Sequence, residues 1–412
     1  MELTIERMGA GGDGVTPGPL HIPFTLPGER VRAEALSKGQ ARVLELLEAS
    51  AERVEAPCRH FTICGGCALQ HWDAAPYAEW KRGRLAEALS RAGYTDAQVA
   101  PMVATPRSVR QRADFGLERL PDGHVEIGFH ERGAHRLVPM RECHVLLPAL
   151  VEMLPRLADA LRGLNALRRL GSAVINMLDS GPDLLLRTDA PLTMADRKLL
   201  AGFAAEAGIP RIAWEQKGGA EVAAQLKPVR HMLSGVAVSP PPGAFLQASA
   251  PGEAAIIEAV LAGLPRKMSP RARIADLYAG IGTLSFPLAQ HALVEAFEGD
   301  PAAAEALKAA SNAAQARVQA TRRDLARQPL MPAELNKYAA VVLDPPFAGA
   351  AEQVAQIARS KLERLVYVSC GPAALGRDAG VLRGAGFKIV SATPVDQFLW
   401  SPHLESVVVF AR

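Results

Sequence analysis

Between Arg273 and Phe410, short apolar runs alternate with stretches of helical length, and that alternation admits few folds. Arg273–Tyr278 reads as a strand, Ala279-Gly280-Ile281-Gly282-Thr283 as a glycine turn, and Leu284–Gln290 as the helix that follows. Leu293–Glu298 is a second strand, 301–316 a helix, and Tyr338–Leu343 a third strand ending in Asp344-Pro345-Pro346. A helix over 350–360 leads to the strand Leu365-Val366-Tyr367-Val368, then a helix near 373–385 and strands at Lys388-Ile389-Val390 and Glu405–Phe410. The Leu365–Val368 run has no polar alternation, as in a strand covered on both faces. The expectation is an α/β, Rossmann-like doubly wound domain over 241–412, binding its ligands at the carboxyl ends of the strands.

What stands at those ends suggests the chemistry. Gly371-Pro372 forces a turn after Ser369, so the Cys370 thiol sits at the mouth of a buried strand as a candidate nucleophile. Taken alone, such a cysteine reads more readily as a small core residue. Gly280 and Gly282 let the backbone pass close to a ligand. An acid ending the second strand, Glu298 or Asp300, can accept both hydroxyls of a ribose. The G-x-G-T turn lacks the third glycine of a pyrophosphate loop, which favours S-adenosylmethionine over a dinucleotide. Asp324 would then meet the adenine amino group, or else be a surface carboxylate. Two prolines stiffen the loop beside Asp344, which suits a substrate-facing acid, although a plain turn reads the same way. Glu405 enters the apolar strand Ser406–Phe410, where partial desolvation would raise its pKa and suit it as a proton acceptor.

The rest of the chain reads differently. Residues 1–55 are β-rich, with strands at Leu3-Thr4-Ile5, His21–Phe24 and Arg30–Ala33 and breaks at Gly9, Gly11, Gly12 and Gly14. They suit a small barrel of the oligonucleotide-binding kind, or a generic β-domain. Five cysteines in a chain with no secretion-type N-terminus argue against a disulfide framework. Cys58, Cys64 and Cys67 lie close in sequence, and Cys143 is the only other one before Cys370. Zinc and a 4Fe–4S cluster compete for these four thiols; three clustered cysteines plus one distant suit the cluster better. His60, His71 and His144 are alternative ligands that read more simply as surface residues. A helix over 76–92 stops at Gly93, and 76–106 is a candidate to pack on the C-terminal domain. Strands at Ile127–His130 and Leu137–Pro139, a helix within 146–170, paired strands Ala173–Leu178 and Asp183–Arg187, and a helix over 193–207 make 56–240 an α+β region without a catalytic motif. Pro240-Pro241-Pro242 marks its end.

Charge adds little. Residues 1–55 carry 6 basic and 9 acidic groups, 241–412 carry 17 and 15, and the net charge is +3. Arg107, Arg110 and Arg112 could form a basic face or be solvated surface. No membrane-length apolar run occurs, so the reading is a cytoplasmic protein, taken as a monomer.

Together these motifs resemble, almost end to end, the RNA uracil-C5 methyltransferases, in particular the iron–sulfur branch that modifies large-subunit ribosomal RNA. The resemblance implies an N-terminal RNA-binding TRAM β-barrel and a 4Fe–4S cluster on Cys58, Cys64, Cys67 and Cys143. It implies a donor pocket for S-adenosylmethionine at Gln247, Tyr278, Gly280, Gly282, Thr283, Glu298, Asp324 and Asp344. Cys370 falls on the family's nucleophile and Glu405 on its base, and the implied partner is ribosomal RNA, with transfer RNA the alternative. A non-catalytic RNA-binding or assembly protein on the same fold is the reading from another class. Four positions depart from the family pattern: Phe347 stands where Arg follows Asp-Pro-Pro, Gly371 where Asn follows the cysteine, Ala279 where Cys is common, and Ser249 where Asn is usual. The first two bear on target recognition more than on the chemical step.

Overall fold

The computed structural model describes every residue except Pro19 and Lys217. Its C-terminal part is an eight-stranded sheet ordered Val318–Arg322, Leu293–Glu298, Arg273–Leu277, Ala340–Leu343, Arg364–Ser369, Glu405–Ala411, Lys388–Asp396, Val103–Ala104. The first five strands run parallel, Glu405–Ala411 is antiparallel to both of its neighbours, and Val103–Ala104 adds parallel to Lys388–Asp396 at the far edge. The strand order reverses beside Arg273–Leu277, which puts a ligand crevice at its carboxyl end. Apolar clusters fill both faces: Leu343, Leu365 and Tyr367 belong to one, Val342, Val366 and Val368 to the other. That two-sided burial is why these strands read as unbroken apolar runs.

Val318–Arg322 has no apolar signature because it is a largely exposed edge, and the sequence reading passes over it. Lys388–Asp396 extends well past Val390, through the polar residues Ser391 and Thr393. The helix Ala74–Arg91 lies on the helix Pro372–Gly384. At Gly376 a Cβ would come within 3.0 Å of the Ala88 carbonyl, so the close approach of the two helices depends on glycine there.

The middle of the chain is a seven-stranded sheet, Leu137–Pro139, Val125–His130, Arg112–Arg119, Leu170–Leu178, Gly181–Thr188, Arg211–Gln216, Gly219–Gln225, against the helices Pro148–Leu161 and Met194–Ala207. The second helix starts at a reciprocal Thr193–Asp196 cap. The first stops at Leu161, well short of the expected 170, because Arg162-Gly163 turns the chain toward the strand Leu170–Leu178. Residues 2–48 form two three-stranded antiparallel sheets, bridged at His21 and Gln40, with Ile5, Ile22, Val31, Ala33 and Ala41 between them. Among the described residues no helix is long and apolar enough to cross a membrane.

Candidate active site

The loop after Arg273–Leu277 is shaped by two glycines and one strained residue. Tyr278 holds φ +64°, a left-handed conformation that costs a side-chain-bearing residue roughly 1–2 kcal/mol. Gly280, at φ +57°, has open space where a Cβ would stand, and its N–H donates to Glu298 Oε2 at 2.7 Å. Gly282, at φ +103°, has a packing reason to be glycine: a Cβ there would meet Leu307 and Phe286 at 2.6 Å. Thr283 is half-buried in the turn toward the helix Ser285–Ala289. Glu298 also accepts from the Asp300 N–H at 2.7 Å, so two backbone donors hold its carboxylate. The Asp300 carboxylate instead caps the helix Pro301–Ala314 through the Ala303 N–H. Asp324 is exposed, accepts from the N–H groups of Ala326 and Arg327, and borders a recess of about 470 Å³ that Gly299 shares. Beneath the loop, Asp276 is fully buried; Ser285 Oγ bonds one of its oxygens, and Oδ1 has no partner. Burial pushes its pKa up to about 7.

The reactive groups meet where Arg364–Ser369 and Glu405–Ala411 pair antiparallel, Ser369 opposite Ser406. Cys370 is half-buried just past one strand and Glu405 is buried at the start of the other. Burial, then the charges of Glu405 and Asp344, push the Cys370 thiol up to about 11, so the resting thiol is neutral. Glu405 is held well above the ordinary carboxylate range by burial and by Asp344, against a hydrogen bond from Gln397 and one from its strand neighbour Ser406. Asp344, half-buried at the end of Ala340–Leu343, is raised by desolvation. Gln247 is buried, and its Oε1 accepts from Gln397 Nε2 at 2.8 Å.

Cys370 opens into a cleft of about 580 Å³ lined by Phe347, Phe398, His403, Arg110 and Arg132, with Gly65 and Gly66 of the cysteine segment on its rim. A larger cavity of about 1230 Å³, around Phe24, Leu46 and Phe61, contains none of the strand-end groups and takes no part in their chemistry. The loop between Asp396 and Glu405 is tied down from far away in sequence. Tyr77 and Lys81, from the helix Ala74–Arg91, bond the two Asp396 carboxylate oxygens, and Lys81 also donates to the Phe398 carbonyl at 3.0 Å. The N–H groups of Ala68 and Leu69, right after Cys67, donate to the Trp400 carbonyl at 2.8 and 3.1 Å.

Cys58, Cys64, Cys67 and Cys143 are unbridged and lie within electrostatic reach of one another. Burial pushes the Cys67 thiol up to about 12, and the other three thiols add to that shift. Cys64 Sγ accepts from the Gly66 N–H at 3.4 Å and Cys143 Sγ from the Leu146 N–H at 3.5 Å. Among the described residues no three His, Cys, Asp or Glu side chains are grouped so as to hold a metal ion. The donor chemistry of the four cysteines is all sulfur, which suits zinc and an iron–sulfur cluster alike. His71, read from the sequence as a surface residue, is instead buried against Phe61 and Phe24, with neither ring nitrogen bonded.

The family model described as tRNA (Uracil-5-)-methyltransferase matches residues 243–412. A Brucella suis biovar 1 protein described as an uncharacterized RNA methyltransferase is 41% identical over 420 residues, covering 100% of this chain and 98% of its own length. The 23S rRNA (uracil(1939)-C(5))-methyltransferase of Alkalilimnicola ehrlichii is 33% identical over 441 residues, covering 100% of this chain and 96% of its own length. The chain belongs to the RNA uracil-C5 methyltransferases. Its fold agrees: the crystal structure of Pyrococcus abyssi tRNA (uracil-54, C5)-methyltransferase in complex with S-adenosyl-L-homocysteine matches over 100% of both chains, with a TM-score of 0.75 at 21% identity. The protein is thus an S-adenosylmethionine-dependent enzyme with an α/β methyltransferase fold. The open backbone at Gly280, the orphan oxygen of Asp276 beneath it and the fixed Glu298 carboxylate fit such a donor.

Two departures from the pattern of RNA uracil-C5 methyltransferases touch each other. A Cβ at Gly371 would lie 2.9 Å from the Phe347 carbonyl oxygen and 3.4 Å from its ring, so a side chain at 371 and the present course of residue 347 exclude one another. Phe347 is 64% exposed and edge-on to His403. Three buried residues near the site are given no role by the sequence: Gln397, Lys81 and Asp276. Asp276 was in view as a charge inside an apolar strand, but nothing local marks the other two.

Proposed function

We propose that this RNA uracil-C5 methyltransferase modifies a uridine of 23S ribosomal RNA through a covalent bond between Cys370 and C6 of the base. The observation that carries the mechanism is the pairing of a strand-end thiol with a buried carboxylate on the adjacent strand. The Alkalilimnicola relative, matched along its length, supports the target.

C5 of uracil is a poor nucleophile. The Cys370 thiol first gives up its proton to solvent; addition of the resulting thiolate to C6 then pushes the electron pair of the C5–C6 double bond toward C5 and O4, leaving C5 reactive. S-adenosylmethionine, when bound, supplies that carbon with an electrophilic methyl group on a cationic sulfur. Glu405 then takes the C5 proton, the C5–C6 double bond re-forms, and the C6–S bond breaks to return the thiolate. A base stacked within RNA cannot bring C6 to a thiol at the mouth of a buried strand, so the uridine is flipped out of its RNA context to reach Cys370. Gln247, Tyr278, Gly280, Gly282, Thr283, Glu298, Asp324 and Asp344 line the donor pocket in this reading. Residues 1–55 bind RNA as a TRAM domain, 56–240 carry the cluster, and 241–412 do the chemistry. Cys58, Cys64, Cys67 and Cys143 would hold a 4Fe–4S cluster; methyl transfer requires no electrons, so its part is structural or RNA-positioning.

Anaerobically purified protein, S-adenosylmethionine and unmodified 23S or transfer RNA, followed by nucleoside mass spectrometry, test the reading. New 5-methyluridine in ribosomal RNA alone supports it. Product in transfer RNA alone overturns the target and keeps the mechanism. No product in either, from protein that binds the donor, overturns both.

A further inference from the structure

Gln397 follows Asp396 at the end of the strand Lys388–Asp396 and is 3% exposed. Its Oε1 accepts from the Ala248 N–H at 3.0 Å. Its Nε2 donates to Gln247 Oε1 at 2.8 Å and to Glu405 Oε2 at 2.7 Å. A backbone N–H can only donate, so the bond from Ala248 fixes which end of the amide is oxygen, and both Nε2 protons must point at acceptors. Two things follow. Glu405 always faces a donor, which favours its ionised form. Gln247 has its oxygen occupied, so the end left for a ligand is its NH₂, a donor suited to a carboxylate. Backbone on both sides holds the arrangement: a Cβ at Gly252 would meet Gln397 Cβ at 2.7 Å, and Gln111 Nε2 donates to the Gln247 carbonyl at 3.2 Å.

We propose that Gln397 is a positioning residue that ties the proton acceptor Glu405 to the donor-facing Gln247, so that one amide orients both. The inference rests on the reading of Glu405 as the base. The titratable groups around Glu405 are Asp344 and Cys370 at neighbouring strand ends, His403 two residues before it, and the Lys81–Asp396 pair behind Gln397. Asp344 raises the Glu405 pKa, and the Gln397 amide is one of the two hydrogen bonds that lower it. Removing the amide therefore moves Glu405 further up, and a base that works as a carboxylate then needs a higher pH.

The test uses Gln397→Met, which keeps the length and removes the hydrogen bonds. The acid limb of the pH–rate profile should move up by about one unit, and donor affinity should weaken roughly tenfold. A rate lowered equally at every pH, or an unchanged limb with unchanged donor affinity, overturns the proposal. If the methionine variant does not fold by circular dichroism, Gln397→Asn, which keeps the amide and draws it back by one methylene, decides by the same two readouts. Glu405→Gln runs in parallel. Full turnover by that variant sinks the base itself, whereas an inactive Glu405→Gln beside a silent Gln397→Met sinks only the role given to Gln397.

Discussion

The strand-end acids and the four thiols of the cysteine segment are both clusters of buried or half-buried titratable groups, yet they are held in opposite ways. Glu405 has Gln397, Glu298 has two backbone N–H groups, and one Asp276 oxygen has Ser285. Those bonds are in place before any ligand arrives, with Asp276 Oδ1 left open. Cys64 and Cys143 each have a single long N–H···S contact, and each thiol, if ionised, would repel the others. One site is preorganised, as a reaction needs. With the proposed cluster bound, the other would be assembled around the group that neutralises its sulfurs, and the binding free energy would also be folding free energy.

The comparison breaks most sharply at Cys370. Cys370→Ala is expected to reduce 5-methyluridine formation to background while urea unfolding stays within about 1 kcal/mol of the parent, because the thiol is only half-buried. Native-rate turnover by this variant would end the covalent scheme. Glu405→Gln should slow overall turnover by about 10²–10⁴-fold and leave a denaturant-stable protein–RNA adduct, visible as a shifted band on a denaturing gel. The opposite pattern is expected of Cys143→Ser: iron and acid-labile sulfide fall away and the protein loses stability, while donor affinity measured by calorimetry changes less than about threefold. An equal loss of donor binding would mean that the two sites are not separable. Lys81→Met leaves Asp396 buried with Tyr77 as its remaining side-chain partner and should cost about 3–5 kcal/mol in urea unfolding. Lys81→Met combined with Asp396→Asn should recover much of that. The smallest effect is on pH: with Glu405 held above the ordinary carboxylate range, the rate should still climb through neutrality, and a plateau reached by pH 6 would contradict the burial described here.

Much of the fold was legible because both faces of its main sheet are covered. Ala340–Leu343 and Arg364–Ser369 announce themselves as apolar runs, whereas Arg112–Arg119, with charges at four of its eight positions, does not. Val103–Ala104 is too short to carry any pattern. At the candidate site, Cys370 and Glu405 could be singled out because each stands at a strand end beside local turn or motif residues. Gln397 could not, since its partner Gln247 is 150 residues away, nor Lys81, 315 residues from Asp396. A buried glutamine or lysine has meaning only through what it touches. At Gly282 the sequence suggested close approach of a ligand, whereas the structure shows Leu307 and Phe286 where a Cβ would stand, contacts that no local pattern announces.

The bonds from Ala68, Leu69, Tyr77 and Lys81 to the Asp396–Trp400 segment also bear on how the enzyme could be divided. Every side chain given a part in the methyl transfer itself lies within 243–412, the stretch that the family model matches. Excised as a cassette, that stretch would carry the reacting groups and lack the anchor on which their loop is set. During synthesis the anchor leaves the ribosome first and waits for the loop, which comes near the end. The Asp396 loop therefore takes its set only by docking against a surface made more than 300 residues earlier.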